Sequence, residues 1–112
     1  MDADQELMIM ELVVNAGEGR SYAMEALKAA RNGDYEKAQA LVKQSEKAIQ
    51  NAHKSQIDII SKEAGGEHFP VSLLMVHAQD HVMNAMTVLD LAKEMILMYK
   101  KINEKEEISG CQ

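Results

Sequence analysis

Two imidazoles and a carboxylate, His77, Asp80 and His81, stand within five positions inside VHAQDHVMNAM (Val76–Met86), a stretch otherwise mostly apolar. Three kinds of chemistry suit them. His and Asp at i, i+3 and i+4 share a helical face and can ligate one ion. They can instead be polar groups at a helix seam, each hydrogen-bonded and fixing register, although burying three titratable groups to no purpose costs free energy. Or a neutral imidazole can attack phosphorus and hold the phosphoryl group as a phosphoramidate. That needs a free ring nitrogen, an orienting neighbour and access for a partner's phosphohistidine or cysteine. A metalloenzyme built from one chain is short of ligands. Di-iron bundles use Glu-x-x-His pairs, and none of His53, His68, His77 and His81 has glutamate three positions earlier; His-Glu-x-x-His is also missing, and Cys111 is remote.

The elements that must position this cluster are helices. The chain has 112 residues, of which 46% are apolar but only 4% aromatic, with nine methionines, one proline and no tryptophan. A single domain of this size buries roughly two-thirds of its unfolded surface, here with Leu, Ile, Val, Ala and Met, most of which favour helices. Breaks fall at RNGDYE and EAGGEHFP. Asn32 and Gly33 supply a left-handed stop and Asp34 an N-cap; Gly65 and Gly66 end the next helix, and Pro70 with Ser72 starts the last. The expectation is three helices, about 5–31, 35–62 and 71–105, followed by a flexible tail containing Cys111. Short connections make neighbours antiparallel, hence an all-α, up-down-up three-helix bundle. Gly17 and Gly19 inside the first helix point to close packing or a kink, with a chain break as the rival. Small residues at Ala38, Leu41, Ser45, Ala48 and Ala52 give the second helix a closely approachable stripe.

The last helix carries two apolar stripes. One runs His77, His81, Asn84, Val88, Leu91, Met95, Met98 and Ile102; the other runs Met75, Ala78, Val82, Ala85, Leu89, Ala92, Ile96 and Tyr99. At about 100° per residue the two lie roughly 100° apart, a wider apolar arc than one bundle contact covers. A second copy of the chain in a coiled-coil-like seam is the simplest partner. Which stripe faces inward is left open. The formal charge of −6 argues against nucleic acid and anionic membrane surfaces. The acidic start MDADQELM lacks a secretory pattern, and no apolar run nears the ~20 residues of a membrane span. With one cysteine, a cytoplasmic protein is expected.

VSLLMVHAQDHVMNAMTVLDLAKEMILMYKK closely resembles the signature region of the lactose/cellobiose family of phosphotransferase-system (PTS) enzyme IIA proteins. AGEGRSYAMEAL, GDYEKAQALV and NAHKSQIDIISKEAGGE look like the corresponding family segments in the same order, so the resemblance covers nearly the whole chain. It implies a three-helix chain assembling as a homotrimer. The chain would take a phosphoryl group from the histidine phosphocarrier HPr and donate it to a cysteine of the sugar-specific IIB component. By position, His77 would carry the phosphoryl group, with Gln79 and His81 as supporting polar residues. Asp80 matches the aspartate that meets its symmetry mates at the trimer axis and binds a metal ion, taken as magnesium. Three converging carboxylates would repel without a cation or protons, and a hard cation suits oxygen ligands. Alanine after the active histidine, Ala78, resembles the cellobiose, chitobiose and lichenan-type members more than lactose-type ones, pointing to a β-glucoside-type disaccharide such as cellobiose. Sugar recognition belongs to the membrane IIC component, which accords with the lack of clustered aromatics here.

Two alternatives stand beside the carrier. A histidine phosphotransfer module of two-component signalling usually has lysine three residues after its histidine, where this chain has Asp80. A metal-bound structural or adaptor trimer would explain the stripes without transfer chemistry. Elsewhere, His53 and Gln56 share a face and could border the active groove or simply be solvated, His68 is expected to be exposed, and Lys100, Lys101 and Lys105 to complement the dipole of the last helix end.

Overall fold

The structure, a computed structural model, describes residues 1–110. The described residues form three helices, α1 (Ala3–Arg31), α2 (Tyr35–Ala64) and α3 (Leu73–Gly110), and no strand. The connections are short, and cross-links between α2 and α3 fix their direction. Tyr35 meets Asn103, Glu46 meets Lys93 and Gln56 meets Gln79, so α2 and α3 run antiparallel. With α1 also antiparallel to α2, the order is up-down-up. The bundle is elongated, 67 × 21 × 17 Å.

Local chemistry sets the helix ends. Asp2 caps α1: its carboxylate accepts from the Gln5 N–H at 2.9 Å, and the Gln5 side chain accepts from the Asp2 N–H at 3.4 Å. This reciprocal pair starts the helix at Ala3, ahead of the expected Gln5. Asp34 caps α2 by accepting from the Lys37 N–H at 3.1 Å. Ser72 does the same for α3, accepting from the Met75 N–H at 3.1 Å, which moves the start from the expected Val71 to Leu73. Gly33 (φ +84°) and Gly66 (φ +105°) take the left-handed turns after α1 and α2, whereas Asn32 does not. At its other end α3 runs past the expected boundary near Lys105 to Gly110. Lys100 and Lys101 therefore lie well before the helix end; the Lys100 ammonium sits 5.4 Å from the centre of the Tyr35 ring instead. Cys111 lies outside the described residues.

α1 is the central element. It packs extensively on both α2 and α3, which meet each other only sparsely. The helix is continuous through Gly17 and Gly19, so the chain break does not occur. Gly19 is the point of closest approach to α2: a Cβ there would overlap Ile49 Cγ1, and the Ser45 hydroxyl donates to the Gly19 carbonyl at 2.6 Å. Gly17 has open space around it. The small-residue stripe of α2, Ala38, Leu41, Ser45, Ala48 and Ala52, is buried throughout.

The two stripes of α3 differ in burial, although Val88 of one and Met75 and Tyr99 of the other are alike half-buried against the core. Ala78, Val82, Ala85, Leu89, Ala92 and Ile96 are buried in the intrachain core. Leu91 (51% exposed), Met98 (60%), Met95 and Ile102 remain uncovered, as does Asn84. Among the described residues no helix is long and apolar enough to cross a membrane.

Candidate functional site

The cluster sits in the first turns of α3. Ala78 and Val82 anchor that segment in the core, fully buried, so the helix is held by one face while His77, a few residues round, projects from the other. His77 and Asp80 are exposed and His81 is half-buried. The i, i+4 spacing brings the two imidazoles together: His77 Nε2 and His81 Nε2 lie 3.0 Å apart, with ring planes at 82° and centroids 4.4 Å apart. One nitrogen of that pair holds a hydrogen and the other presents its lone pair. A hydrogen bond from His81 to His77 leaves His77 Nε2 unprotonated, with a polar hydrogen beside it, which is the condition for nucleophilic attack and for holding an oxyanion afterwards.

Gln79 lies on another side of the helix. Its carbonyl accepts from Gln56 Nε2 at 2.6 Å and its amide faces Met75 Sδ at 3.6 Å. Residues two apart on a helix point about 200° apart, so Gln79 does not lie beside His77 in the single chain; it forms a polar link between α3 and α2. Gln56 itself is buried, while His53 is exposed. This link was hard to foresee, because its partners are 23 residues apart in sequence. The hint was a glutamine on the mostly apolar face of α2 that also carries Ser45. His68 is exposed as expected, although its carbonyl accepts from Gln5 Nε2 at 2.8 Å and ties the α2–α3 connection to α1.

Asp80 does not converge with the histidines into a metal site. Among the described residues no three His, Cys, Asp or Glu side chains are placed to hold one ion. Its donor chemistry, an exposed carboxylate oxygen, fits a hard cation such as magnesium, but one chain supplies a single ligand.

His77 is thus an exposed histidine whose Nε2 meets a second imidazole, on a helix that leaves Leu91, Met95, Met98 and Ile102 uncovered. Comparison with known proteins decides between the readings. The family model described as "PTS system, Lactose/Cellobiose specific IIA subunit" matches residues 7–100. The chain belongs to this family. It is thus a phosphotransferase-system component, a phosphoryl carrier rather than a stand-alone enzyme. It is 46% identical over 109 residues to the lichenan-specific phosphotransferase enzyme IIA component of Bacillus subtilis, covering 97% of this chain and 99% of that one. Its fold matches the crystal structure of the PTS cellobiose-specific enzyme IIA from Bacillus anthracis with a TM-score of 0.90 at 43% identity, over 94% of this chain and 96% of the other. It also matches the IIA(Chitobiose) of Escherichia coli, solved in solution in complex with HPr, with a TM-score of 0.77 at 39% identity over 88% and 96% of the two chains.

Proposed function

We propose that His77 is the phosphorylated residue. Its Nε2 lone pair attacks the phosphorus of a phosphohistidine on HPr. The new N–P bond forms as the donor's N–P bond breaks, and the donor imidazole leaves with its electron pair. In the second half-reaction a thiolate of the IIB component attacks the same phosphorus and His77 regains its lone pair. His81 turns its Nε2–H from the His77 nitrogen to a phosphoryl oxygen, a charge-assisted hydrogen bond that holds the group until the acceptor docks. Gln79 contributes at a distance, by fixing the rotation of α3 against α2 through Gln56. The observation that carries this reading is the Nε2–Nε2 pair of His77 and His81 on the exposed face of α3. Leu73, one turn earlier on that face and 85% exposed, offers apolar surface for the incoming proteins.

The working unit is a homotrimer sealed through Leu91, Met95, Met98 and Ile102 of α3, whose exposure in one chain is the supporting fact. Asp80 of each copy then ligates a divalent cation of the magnesium class, whose charge offsets the repulsion of three carboxylates. Similarity to the lichenan-specific component at 46% identity, above the 40–43% of the lactose-specific and chitobiose-specific relatives, supports a β-glucoside-type disaccharide such as cellobiose as the transported sugar, with this component acting in the cytoplasm. Incubation with phosphoenolpyruvate, the general PTS enzyme I and HPr tests the core of the proposal. An acid-labile label is expected on the wild type and absent from His77→Ala; undiminished label in that variant refutes the assignment.

A further inference from the structure

The His77–His81 pair has a second capacity that phosphoryl transfer does not use. Two neutral imidazoles four residues apart on a helix form a bidentate nitrogen chelate, provided that their ring nitrogens converge. Here they do. Both Nε2 atoms belong to the contact, 3.0 Å apart, and the rings are crossed at 82° rather than stacked. Zinc–imidazole bonds of about 2.0–2.1 Å at a tetrahedral angle ask for nitrogens about 3.3 Å apart. A side-chain adjustment of a few tenths of an ångström would reach that separation. His77 is exposed and His81 half-buried, so an ion can enter and keep water in its remaining positions. The carboxylate of Asp80 does not join them, which keeps this nitrogen site separate from any hard-cation site at Asp80. Imidazole selects zinc, nickel, cobalt or copper, where carboxylate oxygen selects magnesium.

We propose that His77 and His81 bind a divalent transition-metal ion of the zinc class through both Nε2 atoms, the His81 ring hydrogen passing from Nε2 to Nδ1 by tautomer exchange through water, and that this ion and the phosphoryl group exclude one another. The second clause rests on His77 Nε2 being the phosphorylated atom: a nitrogen whose lone pair is bound to zinc cannot attack phosphorus, and a phosphorylated nitrogen cannot ligate the metal. Free zinc-class ions then act as a brake on the carrier, applied at the nucleophile itself.

Calorimetric titration of tag-free protein with zinc chloride tests the chelate directly, with cobalt(II) absorption as an optical readout of coordination. One ion per chain is expected. His77→Ala and His81→Ala should each weaken binding by at least about tenfold, because the second tethered ligand is what lifts affinity above that of a lone imidazole. His53→Ala and His68→Ala should bind as the wild type does. Both active-pair variants replace accessible residues by a strong helix former, so they should fold, which circular dichroism verifies. Unchanged affinity in His81→Ala overturns the chelate. Exclusion is read by repeating the titration on protein phosphorylated through HPr, where zinc affinity should fall at least tenfold. If phosphorylated protein binds zinc as before, exclusion is overturned. If no label reaches His77, exclusion falls together with the carrier assignment, and the loss or retention of binding in His81→Ala still decides the chelate.

Discussion

Gly17 and Gly19 are two residues apart in the same helix, yet the structure assigns opposite signs to replacing them with alanine. In a helix interior alanine is better than glycine by about 1 kcal/mol, and both substitutions gain this. At Gly17 nothing lies within 4 Å of the added Cβ, so the gain stands alone. At Gly19 the Cβ overlaps Ile49 Cγ1 and approaches Ile49 Cδ1 to 3.1 Å and the Ile49 backbone nitrogen to 3.4 Å. Cγ1 is attached at the branch point of a side chain that is stiff in a helix, so it cannot simply swing aside. Relief requires α1 and α2 to separate, which stretches the fully buried 2.6 Å bond from Ser45 to the Gly19 carbonyl. Overpacking of this kind costs about 1–3 kcal/mol. The propensity gain is common to both variants, so their difference isolates the clash: Gly19→Ala should be less stable than Gly17→Ala by about 1–3 kcal/mol. With a urea m-value of roughly 1–3 kcal/mol/M for a domain of this size, the midpoints should differ by about 1 M. Unfolding must be followed at one protein concentration, because any self-association adds stability by mass action. Combining Gly19→Ala with Ile49→Ala should recover part of the loss. If Gly19→Ala matches Gly17→Ala in midpoint, the close approach of α1 and α2 at this point is wrong.

Leu91→Lys and Met98→Lys, on a stripe uncovered in the single chain, should reduce the mass seen in sedimentation while leaving helicity unchanged; full-size assemblies in both variants would refute a seam on that face. Asp80→Ala should lower magnesium-class metal content and alter assembly, and a metal-free wild type of the same oligomeric mass would count against an axial ion. A double-mutant cycle on Gln56→Ala and Gln79→Ala should return a coupling of about 0.5–1.5 kcal/mol in urea unfolding, the worth of one hydrogen bond. Lys93→Ala, which breaks an ion pair with Glu46 whose side chains are 45% and 40% exposed, should change stability by less than about 1 kcal/mol.

Much of this molecule can be read without coordinates, because much of it is local. A cap needs only residues three apart, so Asp34 and Ser72 mark the starts of α2 and α3 wherever those helices end up. A left-handed stop needs one glycine, and Gly33 supplies it. The meeting of His77 with His81 is likewise built into i, i+4 spacing, which places any such pair on one face of a helix. Family segments spread along the chain named the transfer system from the same string of letters, and the match to residues 7–100 bears that out.

Other features depend on segments distant in the chain, and only their packing decided them. Periodicity found two apolar stripes on α3 but had no means of ranking them. Burial is a relation to α1 and α2, and it went to Ala78, Val82, Ala85 and Leu89, leaving Leu91 and Met98 outside. Gln79 matched a polar position of the family beside the histidine, two residues from His77 in the chain. A helix turns it about 200° away from His77, toward a glutamine on another helix. Gly19 and Gly17 were indistinguishable until Ile49 stood against one of them. Short-range hydrogen bonding and helical pitch are carried by a few consecutive residues, whereas contact between helices is a property of surfaces that exist only once those helices have come together.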